Sequence, residues 1–327
     1  MDSRPMAMTS FADDWDSHFS GGSSALAFSW SEVGVGFQGW FVGMLWRQDY
    51  YLNFHPDTAE FYYLTENKKP LEYGRDYIID LSVKHSNSKG LRIRRQLVDR
   101  PDFKFTVGVS YLQAVQLFHG RLTGKIVAKT RNDYDFDNIQ LDYVYYDDKL
   151  FDRQVEAPTG SGYTADVNVF FQLNNRMSLT LQVTDIYSAI RWRDAPGTQA
   201  QLISDNKTYD ENGYVNVDPA LQGRHSQQNY VQSLPMRSAL ALSVAMTANT
   251  SATIDALATS VKTFVAPGLQ YAFTQKKLLK LYYRVNTKAL GFYFSNSWFA
   301  LNMSADSLRF NQAKNITISG NVSVPFL

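Results

Sequence analysis

The sequence predicts an all-β chain: a single closed antiparallel transmembrane β-barrel of about 14 strands, within a range of roughly 12–16. Three observations lead there. Apolar and polar residues alternate with a period of two in one segment after another, which puts successive side chains on opposite faces of a strand. The bulky stripes carry no charge, and the stripes opposite them are rich in small residues. Aromatic residues make up 14% of the chain and charged residues only 19%, against about 25% charged in a typical soluble domain.

The elements follow in order. Residues 1–24 stand apart, with Asp13, Asp14 and Asp16 followed by Gly21-Gly22-Ser23-Ser24. They are expected to form a separate N-terminal segment, and 25–327 the barrel. Val33, Val35 and Phe37 alternate, the phase slips at Gln38-Gly39, and Trp40, Val42, Met44 and Trp46 continue. A slip at a glycine marks a tight turn or a bulge. Tyr77, Ile79, Leu81 and Val83 form the next stripe, with a turn expected at Asn87 to Gly90. Phe103, Phe105, Val107, Val109 and Tyr111 make another, and Ile139, Leu141, Tyr143 and Tyr145 follow an acidic stretch.

The clearest hairpin runs from Val167, Val169, Phe171 and Leu173 through Asn174-Asn175-Arg176 to Met177, Leu179, Leu181 and Val183. From about 185 to 236 the alternation dissolves, which predicts the largest surface loop. It returns at Leu240, Leu242, Val244 and Met246, then at Leu279, Leu281, Tyr283 and Val285, and at Leu290, Phe292 and Phe294. In the last stretch Ile316, Ile318, Val322, Val324 and Phe326 share one face, and Thr317, Ser319, Asn321 and Ser323 the other.

Alternation alone also suits a soluble sandwich. The faces opposite the bulky stripes favour a membrane barrel: Ala239, Ala241, Ser243 and Ala245 flank Leu240 to Val244, and Ala289 and Gly291 flank Leu290. Solvated outer faces of soluble sheets usually carry long polar side chains, whereas a concave interior needs small ones. Trp40, Trp46, Tyr143 and Trp298 fit interfacial girdles. No segment reads as a membrane helix, because the longest uncharged run, 238–254, alternates and is full of Ser, Thr and Asn.

Little local chemistry stands out. There are no cysteines; the five histidines His18, His55, His85, His119 and His225 show no ligand spacing. Asp133, Asp135 and Asp137 begin like a calcium loop, but Asn138 and Val144 break the pattern, leaving an acidic solvated loop as the plainer reading. No metal, no cofactor and no enzymatic activity are expected. A net charge of +1 gives no general attraction to nucleic acid. Lys280, Tyr282 and Arg284 alternate with the bulky stripe and are expected to face the lumen; Arg92 and Arg94 likewise share one face. Such cations either guide a carboxylate through the lumen or simply line it.

The run Arg4-Pro5-Met6-Ala7-Met8, with Ala12-Asp13-Asp14, Phe19 and Ala25-Leu26, resembles the N-terminal signature of the FadL-like long-chain fatty-acid transporter superfamily, shared with TraF-type barrels. Thr9-Ser10 replaces the family's glycines, and its Asn-Pro-Ala is missing. The ending, with Phe326 one residue before Leu327, is similar to the closing strand of bacterial outer-membrane barrels. The resemblance implies a Gram-negative outer membrane and partners in the lipid bilayer and lipopolysaccharide. Met1-Asp2-Ser3-Arg4 lacks an apolar h-region, so a signal peptide is taken as already removed. It also implies residues 1–24 as an internal hatch, or else a periplasmic leader, and passive uptake of a hydrophobic, fatty-acid-like ligand. The alternative is a non-transporting accessory barrel that binds the proteins of a secretion, pilus, conjugation or surface-attachment machine.

Overall fold

The computed structural model describes every residue except 13, 14, 16–18, 149 and 325–327. The Ala-Asp-Asp motif and Phe326-Leu327 therefore lie largely outside the described residues. Strand accounts for 69% of the chain and helix for 6%, and the strands form one antiparallel sheet of sixteen.

A two-residue strand β1 (Asp2–Ser3) and a short helix α1 (Met8–Ala12) precede the hairpin of β2 (Ser24–Phe37) and β3 (Trp40–Phe54). The phase slip is its turn. Gln38 and Gly39 have φ of 48° and 76°, the left-handed pair whose twist matches that of flanking strands. Helix α2 (Pro56–Glu66) starts with proline at its first turn, and the His55 ring accepts from the Asp57 N–H. Then come β4 (Asp76–Asp99), β5 (Phe103–Ala128), β6 (Tyr134–Tyr145), β7 (Gly160–Asn174) and β8 (Met177–Tyr209). β9 (Val215–Gln232), β10 (Arg237–Ala245), β11 (Thr250–Ala258), β12 (Thr263–Thr274) and β13 (Lys277–Arg284) follow. β14 (Ala289–Ser295), β15 (Phe299–Ala305) and β16 (Ile316–Val322) complete the sheet.

Two lanes of the sheet hold two strands end to end. β6 and β7 both lie between β5 and β8, on different halves of those long strands. β9 and β10 likewise share the far side of β8. Sixteen strands thus occupy fourteen lanes. The short turns near 38–39, 100–102, 175–176, 275–276 and 296–298 gather at one end, called here the hairpin end. The other, the N-terminal end, carries α2 and the chain's first residues.

Two sequence expectations are corrected. The stretch from 185 to 236 is not a loop but the greater part of β8 and β9. Its outer face is polar (Arg191, Arg193, Gln199 and Gln201 are exposed), and register shifts near Trp192/Ala195 break its phase, so no apolar stripe survives to be read. The turn expected at Asn87 to Gly90 is instead a register shift between Asn87 and Ser88, inside a continuous β4. The extra residue is Val115 of β5, since Asn87 faces Gln116 and Ser88 faces Ala114, and β4 stays in unbroken register with β3.

Toward the hairpin end, Leu91, Ile93 and Leu97 of β4 and Val109, Tyr111 and Val115 of β5 are exposed, while Arg92, Ser110 and Leu112 are buried. Toward the N-terminal end the buried face of β4 switches sides: Tyr77, Ile79 and Val83 are buried there, on the face opposite that of Ser88 and Arg92. Arg121 pairs with Asp80 at 3.2 Å and Lys125 with Asp76 at 3.1 Å. Beneath them lies an ordinary apolar core: Phe61 of α2 packs with Leu71, Tyr77, Ile79, Ile126 and Ile139. The same two strands thus bury one face in the first zone and the opposite face in the second.

The acidic stretch belongs to this second zone. Lys207 holds Asp133 at 2.7 Å and Asp135 at 2.5 Å, and its hydrogen bond keeps the Asp135 carboxyl below the usual range. Nearby, burial opposes the charge of Asp148, yet hydrogen bonds from Tyr143 and Arg153 hold its carboxyl low.

The N-terminal segment lies across this end. Met6 is fully buried. Trp15 meets Tyr62 edge-on at 4.7 Å and Phe19 stacks on Tyr63 at 4.8 Å, both on α2. At its start β1 pairs with β2, Asp2 opposite Leu26. On its other side Ser3 donates to the Lys314 carbonyl at 2.8 Å, and Ile316 donates to the Met1 carbonyl at 3.1 Å. First and last strands are thereby joined through β1.

Candidate functional site

The sheet curls until distant inner faces meet. Leu26 and Tyr51 of β2 and β3 bury against Phe264 of β12, with Phe28 and Leu257 beside them. Above this floor, toward the hairpin end, the inner faces of β8 and β10 to β15 enclose a cavity of about 390 Å³. Its walls mix Ala239, Ala241 and Leu257 with Lys280, Tyr282 and Arg284. A second cavity, of about 400 Å³, shares Thr180 with it and is lined by Gln96, Lys104, Asn168 and Phe170.

Period-two geometry explains why β13 delivers three polar groups to one cavity, since Lys280, Tyr282 and Arg284 are every second residue. Lys280 is held by Asp255 of β11. Tyr282 donates to Asn302 Oδ1 at 2.7 Å. Its ring lies over Gly291, where a Cβ would come within 2.3 Å of Tyr282 Cζ; the small residue makes room for the large one across the pair. Arg284 reaches Thr317 Oγ1 at 2.7 Å and Asn315 Oδ1 at 3.4 Å. Among the described residues it has no carboxylate partner, so its positive charge is available to a ligand.

The other half of the interior is filled. Arg47 on β3 donates to both oxygens of Asp185 on β8, each at 2.8 Å, and to Asp49 at 2.7 Å. Arg237 lies 3.8 Å from Asp49 and 3.7 Å from Asp185. Thr164 donates to Asp185 at 2.6 Å. Arg92 pairs with Asp166 at 2.6 Å and Glu32 at 3.2 Å, and Arg94 also meets Glu32. Trp30 sits between the guanidinium groups, with Arg47 and Arg92 at 4.9 and 4.7 Å from its ring. Each such contact adds about 2 kcal/mol when desolvated. Leu45, Leu112, Leu117, Ile190 and Trp192 pack as an apolar core in the same half of the interior.

Lys280, Tyr282 and Arg284 are therefore brought together, as their spacing predicts. Arg92 and Arg94 face inward too, but in the filled half, where Arg92 is paired with Asp166 and with the Glu32 that Arg94 also meets. Sequence reasoning missed Asp185, Asp166 and Arg47. Asp185 has φ of 58° and lies where β8 slips against β7, between Ala165 and Val167. The bulge aims its side chain inward, out of phase with the hairpin before it. The place where the alternation fails, at Asp185, is the signal in the sequence. No family model, curated protein or solved structure matches the chain.

Proposed function

We propose that the chain is a bacterial outer-membrane β-barrel, completed through β1, that passively admits a hydrophobic small molecule bearing an anionic head group. One observation carries the reading. Bulky apolar side chains are exposed along the outer face of the strands toward the hairpin end, from Val33, Val35 and Met44 through Leu240, Leu269 and Leu281 to Leu290, Ile318 and Val322. A soluble protein rarely leaves so continuous an apolar surface uncovered, whereas hydrocarbon requires it. The cavity suits an amphipathic, fatty-acid-like ligand because Leu257, Phe264 and Ala266 line it together with Arg284, whose charge meets no carboxylate among the described residues. The N-terminal segment, seated at one mouth, fits the role of a hatch.

A second reading is favoured by the ionic cluster and apolar core that fill half of the interior. A barrel so blocked serves as a structural accessory of an envelope machine. Proteoliposome uptake separates the two. A transporter admits a labelled long-chain fatty acid, faster when residues 5–23 are excised and β1 is kept; an accessory barrel admits none in either form.

A further inference from the structure

We infer that the second cavity, toward the hairpin end, binds a neutral saccharide. Four polar side chains form a single row across its wall. Gln96 on β4 stands opposite Thr106 on β5, Thr106 opposite Asn168 on β7, and Asn168 opposite Gln182 on β8. The next row toward the hairpin turns is Lys104, Phe170 and Thr180. Every second residue of a strand shares a face, so both rows continue the inward face of Arg94, Gly108 and Asp166, the row before them. Gly108 leaves room there: a Cβ on it would come within 3.1 Å of Arg94 Cγ and 3.2 Å of Asp166 Oδ2. The cavity therefore ends on the ionic cluster.

The lining decides the class of ligand. Among the described residues, the side chains of Gln96, Thr106, Asn168, Thr180 and Gln182 make no hydrogen bond to the rest of the protein. An acyl chain laid here would strip water from these groups and replace none of the lost bonds. The lining holds one cation, Lys104, which already meets Asp99 at 3.3 Å, and no carboxylate. Neither an anion nor a cation finds a free counter-charge. Amides and hydroxyls donate and accept alike, which suits the hydroxyl groups of a sugar, themselves both donors and acceptors. Half-buried Phe170 offers a ring for the C–H face of a pyranose. The volume of about 400 Å³ falls within the roughly 300–1,000 Å³ of small-molecule sites. Thr180 and Gln182 also line the first cavity, so the saccharide lies beside that cavity without using Arg284. The site stands independently of the fatty-acid reading.

The test uses the full protein in a detergent without sugar head groups, titrated with maltose, lactose and sucrose by ligand-observed NMR. At least one of the three is expected to bind saturably. Asn168→Leu and Phe170→Ala should each weaken that binding about tenfold, through loss of a hydrogen bond or of the stacked ring. Lys104→Gln and Arg284→Gln should leave it unchanged. Melting temperatures check that the variants fold, and Gln96→Leu replaces either one that does not. Saturable binding of none of the three sugars would overturn the inference. Affinity unmoved by the cavity substitutions would do the same. A third contrary result would be tighter binding of lactobionate, the anionic counterpart of lactose, with the preference lost in Lys104→Gln.

Discussion

Arg47 and Asp185, 138 residues apart in the chain, face each other across the interior through two parallel hydrogen bonds of 2.8 Å. Both are almost completely buried. A fully buried ion pair adds little net stability over an apolar pair of similar shape, but an orphaned charge in such a place is costly, about 3–5 kcal/mol. The bridge fixes β3 to β8 and holds the bulge that presents Asp185.

Removing one partner should therefore hurt more than removing both. Arg47→Met is expected to lower stability by about 3–5 kcal/mol, read as an early thermal unfolding transition in detergent. Arg47→Met with Asp185→Leu should recover much of that loss, because Asp49 keeps Arg237 nearby. A double variant as unstable as the single one would contradict this.

Arg284 and Lys280 should differ as ligand groups. Lys280 is already engaged by Asp255, whereas Arg284 meets only neutral oxygens. Losing a charge-assisted hydrogen bond of roughly 1.5 kcal/mol amounts to about tenfold. Arg284→Gln is thus expected to weaken binding of a fluorescent fatty acid about tenfold, and Lys280→Gln much less. Equal effects would remove Arg284 from the site.

Substitutions on the two faces of one strand pair should separate. Leu281 on β13 is exposed on the outer stripe, and Gln270 on β12 lines the cavity. Leu281→Lys is expected to destabilise the bilayer-inserted protein by about 2–4 kcal/mol, and Gln270→Lys by far less, in urea titrations from liposomes.

His119 makes stability pH-dependent. Burial pushes its imidazole below the ordinary value of 6.5, with Lys84 adding to the effect. Its folded pKa is lower than its unfolded one, so the unfolded chain binds the proton first as pH falls. The contribution is intact above pH 6.5 and is lost as pH falls from there through the folded value. Denaturation midpoints at pH 7.5 and 5.5 should differ less in His119→Asn than in the unsubstituted protein.

The strands of the apolar zone were legible because each repeats one bulky stripe without interruption; Leu279, Leu281 and Tyr283 are an example. β8 beyond Asp185 and β9 were not, for a physical reason. Their surroundings are aqueous outside and packed inside, and bulges reset the phase before a stripe can accumulate. The cations of β13 could be placed because period two is local. The Arg47–Asp185 bridge could not, because nothing in a single strand records which lane it will face once the sheet curls.

The central claim, that the bulky stripe meets lipid, can be read residue by residue. Single cysteines at each position from Leu279 to Tyr283, labelled with an environment-sensitive fluorophore, would be reconstituted in bilayers containing brominated lipid. Quenching is expected at Leu279, Leu281 and Tyr283 and not at Lys280 or Tyr282. Quenching that is uniform along the strand, or strongest at Lys280 and Tyr282, would contradict the account.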